Sequence, residues 1–226
     1  MLKIAHRGAS GYEPENTIAA FKKAIALGVD MVELDVRSTK DNVVVVFHDH
    51  KINKKTDGKG KISDHTYEEI KSTHVLGKHI PTIHDAIASI GNGCKINIEL
   101  KDTSSIKPVV QLVSEYVEKK GWTYQHFVIS SFDSRKLRKV HTLNPHIALS
   151  YIISPTIVRQ GKTISNCDNI FWSIQMHKRR VSKKLVNLAH KRNFKVFVWT
   201  INNKKDAKRI EKMGADGAIS DVPDSI

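Results

Sequence analysis

Eight short apolar runs, most of them followed by a stretch of helical periodicity, constrain this chain more than any other feature. They occupy residues 2–5, 31–35, 95–99, 127–130, 147–150, 169–172, 196–199 and 217–220. Strands covered on both faces read as near-continuous apolar runs, which is what a parallel sheet under helices requires. In the first intervening stretch, Ile18, Phe21, Ala24, Ile25 and Leu27 recur at mostly three- and four-residue spacing, and Gly28 supplies a stop. Residues 106–117 repeat the pattern through Val109, Val110, Val113 and Val117. Ser182, Asn203 and Asp133 read as N-caps of helices reaching about residues 192, 213 and 141. This α/β alternation favours a parallel sheet, and eight strands in 226 residues favour a closed (β/α)₈ barrel over an open doubly wound sheet. No Gly-x-Gly-x-x-Gly follows the first run, which disfavours a dinucleotide fold. The expectation is one barrel domain over residues 1–226.

One segment breaks the rhythm. Residues 43–47, VVVVF, form a further strand-like run with no helix between it and the second barrel strand. Lys40, Asp41 and Asn42 suit a turn, and a hairpin centred there returns His48 to the level of Leu34. Residues 49–80 are polar and loop-like, with Lys54, Lys55, Lys59 and Lys61 among glycines, and read as an insertion over one end of the barrel.

Composition removes several classes. An apolar share of 40% is enough for a sizeable core. No apolar run approaches the roughly 18 residues that cross a bilayer. Two distant cysteines, Cys94 and Cys167, exclude a disulfide framework and a cysteine zinc site. No secretory leader is visible at the N-terminus, so a cytoplasmic location is expected. The net charge of +14 is lopsided: residues 1–100 hold 14 basic and 13 acidic side chains, residues 101–226 hold 23 and 10. A basic surface raises nucleic acid as a partner, through segments such as His177-Lys178-Arg179-Arg180. No zinc finger, helix-turn-helix or aromatic RNA-binding motif accompanies them, and a lysine-rich helical layer accounts for the charge.

Chemistry concentrates at the ends of the runs. His6 and Arg7 follow the first, Glu33 and Asp35 end the second, Glu99 and Lys101 end the third, and His48 follows VVVVF. Strand C-termini of a parallel barrel converge on one mouth, and alternate residues of a strand share a side. Three converging carboxylates repel one another unless a cation intervenes, and all-oxygen ligation favours Mg²⁺ or Ca²⁺. Salt bridges from Arg7 and Lys101 are the plainer alternative. Two imidazoles beside such a site can divide general base and general acid work, and the added positive charge suits a phosphoryl group.

The blocks HRGASGYEPENTIAAF, ELDVRSTKDNVVVVFHD, TDGKG and NIELK, followed by IPTIHDAI, ISSFD, VFVWTINN and GADGAISDVPD, resemble the glycerophosphodiester phosphodiesterases over nearly the whole chain. The resemblance implies a (β/α)₈ barrel with a small insertion after the HD motif. It implies one divalent cation held by Glu33, Asp35 and Glu99, catalytic His6 and His48, and Arg7 and Lys101 near the phosphate. Trp199 matches an aromatic near the glycerol end of the substrate, and Phe132 is a candidate of the same sort. The implied reaction releases sn-glycerol 3-phosphate and an alcohol from a small glycerophosphodiester. Lys54 and Lys55, His84 and Ser220 depart from the family pattern at positions that touch no proposed ligand. A lysophospholipase D-like activity on lipid substrates is the nearest rival; it needs an apolar groove at the mouth and contact with a membrane, without stable insertion.

Overall fold

The computed structural model describes residues 1–54 and 56–226, the side chain of residue 54 excepted. Of the insertion lysines named above, Lys55 and the side chain of Lys54 lie outside the described residues. The elements are β1 (Leu2–Ala5), α1 (Ile18–Ala26), β2 (Met31–Ser38), β3 (Val44–Val46), α2 (Tyr67–Ile70), β4 (His74–Val75), β5 (Lys78–His79), α3 (Ile83–Ile90), β6 (Lys95–Leu100) and α4 (Ile106–Lys119). After these come β7 (Phe127–Ser131), α5 (Ser134–Leu143), β8 (Ala148–Ile152), α6 (Gln160–Ser165), β9 (Ser173–His177), α7 (Lys183–His190), β10 (Lys195–Trp199), α8 (Lys204–Lys212) and β11 (Gly217–Ser220).

Strands β1, β2, β6, β7, β8, β9, β10 and β11 pair in parallel in that order, and β1 pairs with both β2 and β11, which closes the barrel. The helices start where their caps dictate. Thr17, Asp133, Ser182 and Asn203 each accept a backbone N–H of the first turn through a side-chain oxygen. Outward strand residues such as Val32, Ile98 and Val198 meet Phe21, Ile87, Val113, Leu137 and Val186 from the helices in one continuous core.

Inside the barrel the side chains change character along each strand. Ile4, Met31, Val128, Phe197 and Ile219 form an apolar interior cluster. Two residues further along β2, and again two after that, the same face carries Glu33 and Asp35. The sheet register then sets Asp35 beside Glu99, and Glu99 beside Ser130.

Two expectations change. Residues 169–172 are not the sixth barrel strand; the strand is β9, which begins at the next residue, Ser173. Its inward face is polar: Ser173 Oγ donates to Ser150 Oγ at 2.7 Å and Gln175 Nε2 donates to the same oxygen at 3.0 Å. Only Ile174 and Met176 face the apolar core, so the strand alternates and lacks a continuous apolar run. The insertion, in turn, is more than a loop. Ile52, Ile62, Ile70, Val75 and Ile80 bury themselves against Val45 and Phe47 in a second small core, and α2 opens with a Thr66–Glu69 capping box. Isoleucines spaced this irregularly give no periodic signal.

The hairpin places His48 as its register requires. Val36 pairs with Val46 and Ser38 with Val44, the Phe47 N–H donates to the Asp35 carbonyl, and Asn42 takes the turn at φ +62°. No helix of the described residues is long and apolar enough to cross a membrane.

Candidate active site

The mouth is built from loops that follow strand C-termini. After β1 the chain turns sharply through Arg7 (φ +57°) and Gly8 (φ +80°). A Cβ on Gly8 would lie 2.7 Å from the backbone of Ala20, so only glycine fits against α1. This turn directs the Arg7 N–H onto Glu33 Oε2 at 2.8 Å and the guanidinium onto Glu15 and Asp35.

His6, Arg7, Glu33, His48 and Glu99 line one cavity of about 120 Å³. Lys101, Phe132 and Trp199 complete its charged and aromatic wall. Asp35 is fully buried just beneath, and one oxygen each of Glu33, Asp35 and Glu99 lie within 4.8 Å of one another. All nine residues singled out in the sequence therefore meet. Phe132 and Trp199 stand edge to face with ring centres 5.9 Å apart, and the Trp199 Nε1–H is buried without a partner.

The carboxylates are unequally compensated. Asp35 forms ion pairs with Lys101 Nζ at 2.8 Å and Arg7 Nε at 3.0 Å. It also accepts from Asn16 Nδ2 at 2.9 Å. Burial pushes the Asp35 carboxyl up, but Lys101 and Arg7 outweigh it and hold it well below the usual carboxylate range. Lys101 also pairs with Glu99, whose carboxyl burial and Asp35 nevertheless push up. Glu33 has no side-chain cation in ion-pair contact among the described residues. Burial, then the neighbouring Asp35, push its carboxyl up to about 8. The salt-bridge alternative thus accounts for Asp35 and in part for Glu99, and leaves Glu33 as a buried acid facing two others. That donor set, all oxygen and short of positive charge, fits a hard divalent cation.

Each histidine is held by its Nδ1. His6 Nδ1 lies 2.6 Å from Asp221 Oδ1, and His48 Nδ1 lies 2.7 Å from Asp49 Oδ1. Asp221 is itself fixed by Ser10 Oγ at 3.0 Å and Asn202 Nδ2 at 2.6 Å. Burial pushes the Asp221 carboxyl up, but these bonds, that of His6 foremost, bring it down to about 2. An ionised carboxylate only accepts, so the proton sits on His6 Nδ1 and Nε2 is left to face the cavity. The environments of the imidazoles differ in sign. Burial pushes His6 down, but Asp221 and Glu33 more than offset it and its pKa is raised. Burial lowers that of His48, with Lys101 and Arg7 adding to the effect against Asp35 and Asp49.

Sequence reasoning missed Asp221, Asp49, Asn16 and Gln175. Gln175 lines the cavity with Ile152 and Ile219. A signal for Asp221 existed: in a closed barrel the first and last strands are neighbours, so the residue after the last run lies beside the residue after the first.

Comparison with known proteins agrees with this geometry. The model of the glycerophosphoryl diester phosphodiesterase family matches residues 6–225. A glycerophosphodiester phosphodiesterase of Caldanaerobacter subterraneus is 34% identical over 239 residues, covering 100% of this chain and 96% of the relative. Among solved structures, an Oleispira antarctica phosphodiesterase in complex with the product sn-glycerol-3-phosphate superposes with a TM-score of 0.87 at 28% identity, covering 98% of this chain and 93% of the other. A glycerophosphodiester phosphodiesterase of Thermotoga maritima gives 0.84 at 26% identity, covering 99% and 96%.

Proposed function

Because the chain is an enzyme of the glycerophosphoryl diester phosphodiesterase family, we propose that it hydrolyses small glycerophosphodiesters to sn-glycerol 3-phosphate and an alcohol, with His6 and His48 as the proton-transfer pair. Residues 1–226 act as one catalytic domain. The observation that carries the reading is the meeting of two carboxylate-held imidazoles with three clustered buried acids, Glu33 and Glu99 lining the cavity and Asp35 beneath it. The product seen in the Oleispira relative is the product assigned to this site.

Glu33, Asp35 and Glu99 are the residues to hold one divalent cation, Mg²⁺ or Ca²⁺. When bound, such an ion supplies Lewis-acid stabilisation of the charge that develops on a phosphoryl oxygen. Arg7 and Lys101 add fixed positive charge at the same place. His48, its pKa lowered, takes the proton of the attacking hydroxyl at Nε2; His6, its pKa raised, gives the proton at Nε2 to the leaving alcohol. The attacking group is the glycerol 2-hydroxyl, giving a cyclic phosphate that water then opens, with the two imidazoles exchanging roles. Trp199 and Phe132 pack the glycerol carbons and keep bulk water from the reacting atoms. The substrate and products are water-soluble, in keeping with the expected cytoplasmic location.

Lipid substrates need an apolar trough leading from the cavity. The groove that opens from it carries Ser131, Asp133, Ser134, Arg135 and Lys136, which favours a water-soluble diester. Release of glycerol 3-phosphate, followed with and without divalent ions over a panel of head groups that includes lysophosphatidylcholine, tests the reading.

A further inference from the structure

The catalytic cavity does not end at Phe132. A second, more open groove of about 530 Å³ shares Glu99, Lys101 and Phe132 with it and runs on over Ser131 and Tyr151 to the first turn of α5. Phe132, 43% exposed, stands between the two spaces, with Trp199 against its ring on one side. The two spaces together form one continuous recess at the barrel mouth.

We propose that this groove is the subsite for the leaving alcohol, and that it selects hydroxylated or anionic alcohols over cationic ones. The inference rests on the function proposed above and names the half of the substrate that reading leaves open. Three observations carry it. Continuity through Lys101 and Phe132 makes the groove begin beside residues assigned above to the phosphoryl and glycerol groups, and Trp199 lines only the cavity. Its lining is mostly polar: Ser131, Asp133, Ser134, Arg135 and Lys136 stand with Glu99 and Lys101 against Leu100, Phe132 and Tyr151. Its cations are unevenly balanced. Arg135 is neutralised by a two-point pair with Asp133, and Lys101 by Asp35 and Glu99. Lys136, half-buried, donates to the carbonyls of Leu100 at 3.4 Å and Lys101 at 2.8 Å, and among the described residues no carboxylate lies at ion-pair distance, Asp102 and Asp133 acting on it from further off. An ammonium bonded to carbonyls, with no carboxylate in contact, attracts an anion or a hydroxyl oxygen; a trimethylammonium group gains nothing there. With no long aliphatic wall, the groove also has no place for an acyl chain.

The test compares four sn-glycerol 3-phosphodiesters in a divalent-replete assay: the methyl diester, which hardly enters the groove, glycerophosphoglycerol, glycerophosphoglycerol 3′-phosphate and glycerophosphocholine. In the native enzyme, kcat/KM should rank the phosphorylated and neutral glycerol diesters above the choline diester. Ser134→Trp, at a half-buried position lining the groove, should lower the ratio of kcat/KM for glycerophosphoglycerol to that for the methyl diester by about tenfold, the low end of what a single pocket contact discriminates. Lys136→Gln should selectively lower kcat/KM for the 3′-phosphate relative to glycerophosphocholine, through KM. Equal losses on all four substrates in both variants, or a native preference for choline untouched by either, would overturn the subsite. Failure of the native enzyme to cleave any of the four would instead remove the function on which it rests.

Discussion

His6 and Asp221 are 215 residues apart in the chain and 2.6 Å apart in the fold. Closure of the barrel brings them together. Ala5 pairs with Ser220 across the β1–β11 seam, so the next residue of each strand lands beside the other. The carboxylate then fixes both the tautomer and the tilt of the imidazole.

Asp221→Ala should therefore lower kcat by about tenfold or more, short of the loss on removing an acid–base group itself, with KM little changed. Ring ¹⁵N spectra at pH 9 should show His6 protonated on Nδ1 in the native enzyme and redistributed between both nitrogens in the variant. Steady-state kinetics beside those spectra separate positioning from a general loss of structure.

His6→Ala and His48→Ala should each reduce turnover by roughly 10²-fold or more. Thermal melting should stay close to native for His48→Ala and fall for His6→Ala, which loses the bond that holds the Asp221 carboxyl down, while both variants remain folded. Turnover near the native rate in either variant would remove that residue from the mechanism.

The Asp221 carboxyl also gives a pH signature. Its folded pKa is about 2, below the unfolded value of about 3.9. A lowered pKa contributes stability that is complete above the unfolded value and is lost as pH falls through the folded one. Melting temperatures of the native protein and of Asp221→Asn should thus converge between pH 5 and pH 2. A gap constant over that window would contradict the assignment.

Trp199→Ala and Phe132→Ala should raise KM for glycerophosphodiesters. The larger effect is expected at Trp199, which also contacts His177 with ring centres 4.9 Å apart. Parallel titration with glycerol 3-phosphate as a product inhibitor checks that the loss lies in the glycerol half of the substrate.

Much of this was legible beforehand, for reasons that can be named. The acids of β2 and β6 were readable as a group because a period of two puts Glu33 with Asp35, and a parallel barrel aligns strand ends. His48 was readable because a tight hairpin fixes register, and Val36 opposite Val46 is the register that the turn at Asn42 demands. The strand β9 was not, because Ser173 and Gln175 spend its inward positions on a polar network. The insertion's second core was not, because Ile52, Ile62, Ile70 and Ile80 meet only after long, irregular loops have closed. Asp49 looks like any solvated aspartate after a strand until its histidine is beside it, and Asp221 stands out only once closure of the barrel is used to set the last run beside the first.

The central claim is that Glu33, Asp35 and Glu99 together hold one catalytic divalent ion. Calorimetric titration of the metal-stripped protein with Mg²⁺ and Ca²⁺, run beside the triple variant Glu33→Gln, Asp35→Asn, Glu99→Gln, addresses it most directly. The account predicts one site per chain in the native protein, no binding in the variant, and activity restored only as that site fills. Native activity persisting after exhaustive chelation, or binding unchanged in the variant, would contradict it.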